Sequence, residues 1–273
     1  MILGLAFDTR IYICLLVDEQ GGSVEIKFNI ESWSALAPGI NSQADWAMWL
    51  NAPTPLNEPF EKPEIKGVPP LLRRRFNLVG RCAMGAILNL LQTDDGIPCV
   101  FASRHGDTAT TLALLENMGK SESMSPTSFS LAVHNAVSGL YTIACKNTQP
   151  VTAIAATEGL TINALFETIG QCQNAERILC IIYDAPLPDL YQNYCPSEPF
   201  PYAIAMIINK SQGEPYQIHS TGEDQAFAAQ NPVNARGLAL LPLLTGRSTS
   251  IEFNYQANPY KITRLKANAV DQT

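Results

Sequence analysis

The run Pro150-Val151-Thr152-Ala153-Ile154-Ala155-Ala156-Thr157-Glu158-Gly159-Leu160 decides the fold class. Val151 to Ala156 is short and apolar with β-branched residues, the pattern of a strand. From Leu160 to Cys172 the apolar residues recur at helical spacing, so Thr157-Glu158-Gly159 is a strand-to-helix turn. Arg177 to Tyr183 is again a continuous apolar strand. Upstream, Pro98 to Ala102 is a short buried strand running into Ser103-Arg104-His105-Gly106, and Thr110 to Met118 is a helix. Strands that alternate with helices belong in a sheet whose faces are covered by those helices.

The flanks extend this pattern. Val24 to Ile30 reads as a strand, Pro38-Gly39 as a turn, and Gln43 to Leu50 as a helix capped by Ser42. Six prolines between residues 52 and 70 (53, 55, 59, 63, 69 and 70) make that stretch an extended surface loop. Leu71 to Leu91 has helical spacing throughout. Ser125-Pro126 opens another helix, with proline where a missing N–H costs nothing, and the apolar pattern carries it to about Ile143. Tyr202 to Asn209 is a strand followed by a turn at Lys210 to Gly213. The tail holds a helix, Ala235 to Leu244, and two strands, Ser248 to Tyr255 and Tyr260 to Leu265, joined across Asn258-Pro259. Strand follows strand after about residue 175, so the expected architecture is α/β, a mixed sheet flanked by helices with a short C-terminal helix-and-strand appendage.

Composition narrows the function. A chain of 273 residues can bury a sizeable core, and a net charge of −7 argues against nucleic acid as a partner. Low charge with near-zero mean hydropathy fits a protein that hides a large face against another. The seven cysteines form no CxxC pair and no cluster with histidine, which reads as reduced core thiols in a cytosolic protein without structural zinc. No apolar span reaches membrane length. Met1 to Phe7 is apolar, but Asp8 and Arg10 interrupt it and no basic segment precedes it, a poor signal peptide. Residues 1–23 are read either as a strand added to the sheet edge or as a non-essential extension of a core that starts near Val24.

Several strings then line up in order: the Pro38-Gly39-Ile40-Asn41 turn leading to Trp46, Arg74-Arg75-Phe76, Ser103-Arg104-His105-Gly106, Ser125-Pro126 with Asn135, Gly139 and Thr142-Ile143, and Pro150 before the strand that ends near Glu158. Their order and spacing resemble the N-terminal half of the β-ketoacyl-acyl carrier protein synthases, over roughly residues 24 to 210. The resemblance implies a thiolase-like fold, here a single truncated domain with 24–210 as synthase-like core and 211–273 as appendage. In the synthases the nucleophilic cysteine lies eight residues past the proline and nineteen past the glycine. Counted from Pro150 and from Gly139, both spacings land on Glu158. An alignment anchored on Ile154-Ala155 places Ala156 there instead, and neither is a cysteine.

A helix N-terminus at such an elbow lowers a thiol's pKa, whereas a carboxylate is a poor relay for a thioester. Glutamate there implies loss of acyl transfer, though it can also serve as a carboxylate at the helix N-terminus. The histidines of the synthases' C-terminal half have no counterpart: His105, His134 and His219 lie in no such motif. A synthase-like chain without the cysteine resembles a chain-length factor, and the shortened form resembles the chain-length factor-like proteins of aryl polyene clusters in Gram-negative bacteria.

That resemblance implies a pseudoenzyme without cofactor or metal, paired as a heterodimer with a catalytic β-ketoacyl synthase and served by acyl carrier protein. His105 matches a tunnel-wall position, and Ser128 and Phe129 match residues that a synthase dimer contributes to its neighbour's pocket. Phe129, Val133 and Ala136 stand at i, i+4 and i+7, which is one face of a helix spanning residues 126 to 143, for packing or for the partner's tunnel. Arg73, Arg74 and Arg75 are either a solvated helix start or a contact for an acidic carrier protein. The rival readings are an independent small hydrolase or acyltransferase, a malonyl decarboxylase-like subunit, and a homodimeric binding protein. No GxSxG elbow is present, and the thiols read as isolated, without a placed histidine.

Overall fold

The computed structural model describes residues 25–56, 58–93, 95–220, 237–255 and 258–266. Residues 1–24, and with them the expected extension, lie outside the described residues, as do Ala235 and Arg236 of the expected C-terminal helix. Eight strands form one sheet in the order β3-β2-β4-β5-β1-β6-β8-β7. They are β1 (Glu25–Leu36), β2 (Cys99–Ser103), β3 (Val151–Ala155), β4 (Arg177–Asp184), β5 (Tyr202–Asn209), β6 (Glu214–Ser220), β7 (Ser250–Tyr255) and β8 (Asn258–Arg264). β2 lies parallel to both β3 and β4, and every pairing from β4 outward to β7 is antiparallel. The mixed α/β sheet expected from the sequence is therefore present.

Helices cover both faces, and the alternation of side chains divides the core in two. On one face Val100, Ala102, Ile178, Cys180, Ile182, Ile204 and Met206 pack under α1 (Gln43–Asn51), α7 (Leu160–Gln171) and α9 (Leu241–Leu244). On the other face Cys99, Phe101, Leu179, Ile181, Ala205 and Ile207 meet α3 (Leu78–Leu88) and α6 (Ala136–Cys145). Both faces are buried, which is why β4 and β5 read as unbroken apolar runs rather than alternating ones.

β1 is longer than expected because it continues through a bulge. Ile30 pairs with Ile208 but Ser32 pairs with Ile207, so Glu31 is the extra residue. One inserted residue reverses which parity faces the helices: Phe28 and Ile30 belong to the α7 face before the bulge, Ala35 after it, and Leu36 turns to the α3 face. Glu31 is held there by Arg177 (2.9 and 2.8 Å) and by the Asn209 amide (2.6 Å). Burial works to raise its pKa, but those hydrogen bonds and the Arg177 charge outweigh burial and leave it below the usual carboxylate range.

Two expected helices are each broken in the middle. The stretch from Leu71 to Leu91 splits into α2 (Pro70–Arg73) and α3, because the Asn77 side chain accepts from the Gly80 N–H at 2.7 Å and caps a new helix. The stretch from Pro126 to Ile143 splits into α5 (Pro126–Leu131) and α6, with a turn over residues 132–135. His134 is tied out of helical register there by its Nε2, 3.1 Å from the Ser103 carbonyl, and by its own carbonyl, which accepts from the Tyr183 hydroxyl at 3.4 Å. β6 and the single turn α8 (Asp189–Gln192) were not expected from the sequence. In the tail a 3₁₀ turn, Gly237–Leu240, precedes α9. No helix among the described residues is long and apolar enough to cross a membrane.

Candidate functional site

The ends of β2, β3 and β4 converge with the loop that follows α8. β3 stops at Ala155, and the chain turns through half-buried Ala156 and exposed Thr157 and Glu158. Gly159 closes the elbow with φ +59°, a left-handed conformation that glycine adopts freely, and α7 begins at Leu160. The Asn163 amide steadies the turn from the first turn of α7 by donating to the carbonyl of Gly159 (3.0 Å) and, more weakly, to that of Glu158 (3.4 Å). The N-cap of α7 is Gly159, which has no side chain with which to cap the helix, and Glu158 precedes it, exposed at the turn.

β2 ends in Ser103, fully buried, whose hydroxyl donates to Asp184 Oδ1 at 3.0 Å and accepts from the Gly106 N–H at 2.9 Å. The Arg104 N–H donates to the same Asp184 oxygen at 2.9 Å. Asp184 sits at the end of β4, and burial pushes its carboxyl up to about 6 against these hydrogen bonds, which favour the anion. Asp107 then starts α4 (Thr108–Gly119) by accepting from the Thr110 N–H at 3.0 Å, and also takes a 2.6 Å bond from the Asn77 amide. One tight turn therefore joins the starts of α3 and α4.

The turn aims Arg104 and His105 at the elbow and at Cys195. The Arg104 guanidinium donates to the Thr157 carbonyl (3.3 Å), the Pro196 carbonyl (2.9 Å) and the Cys195 sulfur (2.9 Å). His105 Nε2 lies 3.4 Å from the same sulfur. Burial, and then the nearby Arg104 and His134, hold the His105 imidazole below its usual range. Cys195 is half-buried, whereas Cys82, Cys99, Cys145, Cys172 and Cys180 are buried, with thiols pushed up to about 11 to 12 chiefly by desolvation. The expectation of core thiols without a placed histidine holds for those five and fails for Cys195, while Cys14 lies outside the described residues. Its one sequence-level signal is that Tyr191 to Pro196 is not an apolar run; the 90 residues between it and His105 hide the rest.

The remaining expected residues do not converge there. Ser128 and Phe129 lie on α5, Val133 in the turn, and Ala136 at the start of α6, so the single helical face is absent. Phe129 and Val133 are nonetheless exposed, 60% and 46%, and the neighbouring α4 exposes Leu115 and Met118. Arg73 spends its donors on the carbonyls of Lys66 and Val68, while Arg74 and Arg75 are exposed. Among the described residues no group of three or more histidine, cysteine or carboxylate side chains could hold a metal ion.

The family model described as "Beta-ketoacyl synthase, N-terminal domain" matches residues 46–261 of the chain. Among solved structures, the fold is similar to a chain from the complex of a ketosynthase (ApeO) with its chain length factor (ApeC) from Xenorhabdus doucetiae. The TM-score is 0.73 with 22% identity, over 88% of this chain and 100% of that one. A chain of the ishigamide ketosynthase/chain length factor matches at TM-score 0.54 and 15% identity, over 71% of this chain and 66% of its own length. No curated protein sequence matches.

Proposed function

This chain belongs to the β-ketoacyl synthase N-terminal domain family, and we propose that it serves as a non-catalytic, chain-length-factor-like partner of a complete β-ketoacyl synthase. The observation that carries the reading is the elbow. Counted from Pro150 and from Gly139, Glu158 falls where the synthases place their nucleophilic cysteine, and it lies exposed at the turn into α7. A carboxylate cannot relay a thioester as a thiolate does, so condensation falls to the partner.

The surface beside the elbow supports a heterodimer. Among the described residues β3 is an edge strand, with Ala153 and Ala155 exposed, and such an edge can pair with another chain. Exposed Phe129, Val133, Leu115 and Met118 give helical surface an apolar character that a partner would cover. In the structure from Xenorhabdus doucetiae, a ketosynthase is held with its chain length factor. Within the complex, Ser128, Phe129 and His105 shape the tunnel in which an aryl polyene or related polyketide chain grows, and exposed Arg74 and Arg75 meet the acidic acyl carrier protein.

Co-expression with a catalytic synthase tests this reading. A 1:1 complex on gel filtration is expected, and the isolated chain is expected to self-associate. In the reconstituted complex, Phe129→Ala should lengthen the product by about four to six carbons with the complex intact. A chain that stays monomeric at tens of micromolar and ignores the synthase would overturn the partnership. An unchanged product profile would place the tunnel elsewhere.

A further inference from the structure

The geometry points to a nucleophilic centre beside the elbow, in which Cys195 accepts an acyl group from a thioester with His105 as its base and Arg104 as its cation. The thioester class rests on the reading above; the activated thiol rests on geometry alone. A sulfur within 3.4 Å of an imidazole nitrogen and 2.9 Å of a guanidinium is the juxtaposition that converts a thiol into a nucleophile. His105 presents Nε2 to the sulfur as the group that takes its proton. Cys195 is half-buried, unlike the five buried thiols. Arg104 ties this sulfur and the Thr157 carbonyl to one guanidinium, which places the thiol next to the elbow from a different part of the chain.

The step balances without an added cofactor. The Cys195 proton passes to His105 Nε2 and the sulfur attacks the thioester carbonyl, with Arg104 the nearest cation to the oxyanion. The adduct then expels the donor thiolate, which takes the proton back from His105. One carbon–sulfur bond forms and one breaks. No electron is exchanged, and the acyl group returns to a thiol by the reverse path.

The full-length chain, alone and with any synthase it binds, is incubated with the octanoyl thioester of N-acetylcysteamine and mapped by mass spectrometry. One hydroxylamine-labile octanoyl group on Cys195 is expected, absent in Cys195→Ser. His105→Asn should slow its formation at least tenfold, while iodoacetamide at alkaline pH, where thiols ionise unaided, should label Cys195 at the wild-type rate. That control and circular dichroism separate lost activation from misfolding. If His105→Asn does not fold, Arg104→Gln takes its place, with the same loss expected. No adduct, adducts spread over several cysteines, or equal rates in the wild type and a folded variant would overturn the centre. Complex formation with a synthase is scored separately, so failure of the centre and failure of the proposed partnership remain distinct results.

Discussion

Replacing Asp184 by asparagine removes the one charge buried beneath the Ser103-Arg104 turn. Asp184 is 7% exposed, and its Oδ1 accepts from both the Ser103 hydroxyl and the Arg104 N–H. Burial raises its pKa from 3.8 to about 6. The folded chain therefore keeps a proton that the unfolded chain has already lost between about pH 4 and pH 6. Its stabilising contribution is complete below the unfolded value, falls as pH rises across that window, and is level above it. At about 1.4 kcal/mol for each tenfold difference in proton affinity, the whole window is worth about 3 kcal/mol, of which about 2 kcal/mol lies between pH 4.5 and pH 7.5. The Asp184→Asn variant keeps the acceptor oxygen and the volume but cannot ionise. Urea unfolding of both proteins at the two pH values is the assay, and taking the difference between them cancels the other carboxylates. That cancellation matters for Glu31, whose depressed pKa works in the opposite sense, with stability lost as pH falls. The expected result is a shift of about 2 kcal/mol in favour of the variant on going from pH 4.5 to 7.5. A difference constant to within about 0.5 kcal/mol would refute the claim that burial, rather than the two hydrogen bonds, governs Asp184.

Two further substitutions test the frame and the elbow. Gly213 has φ +112°, and an added Cβ would sit within 2.6 Å of the Ile30 carbonyl and the Glu31 Cα. Gly213→Ala should cost at least about 3 kcal/mol, read as a lowered thermal midpoint, and an unaltered melt would mean the β5–β6 turn does not press on the bulge. Glu158→Cys should change stability by no more than about 0.5 kcal/mol, because the side chain is exposed and caps nothing. It should also give no condensing activity in the isolated chain, measured with malonyl carrier protein. Turnover by that variant would show that the chain lacks only the thiol.

What the sequence by itself determined was carried by local periodicity. The strands at Pro98–Ala102, Arg177–Tyr183 and Tyr202–Asn209 were legible because both sheet faces are buried, leaving unbroken apolar runs, whereas the edge strand Val151–Ala156 was legible from its short apolar, β-branched composition alone. The elbow at Glu158 was legible because that short apolar run gives way to helical spacing within three residues. Only the tertiary structure decided the features that depend on partners distant in the chain. Asn77 caps α3 while its amide binds Asp107, 30 residues away, and His134 leaves the helix to reach Ser103, 31 residues away. The bulge at Glu31 is secured by Arg177, 146 residues on. Cys195 becomes a candidate nucleophile only where folding sets it against Arg104 and His105, 91 and 90 residues earlier. Periodicity records which face of an element is buried. It carries no information about which side chain from another element will meet a given donor, and in this protein those meetings break two helices, reverse the facing of one strand and assemble the site.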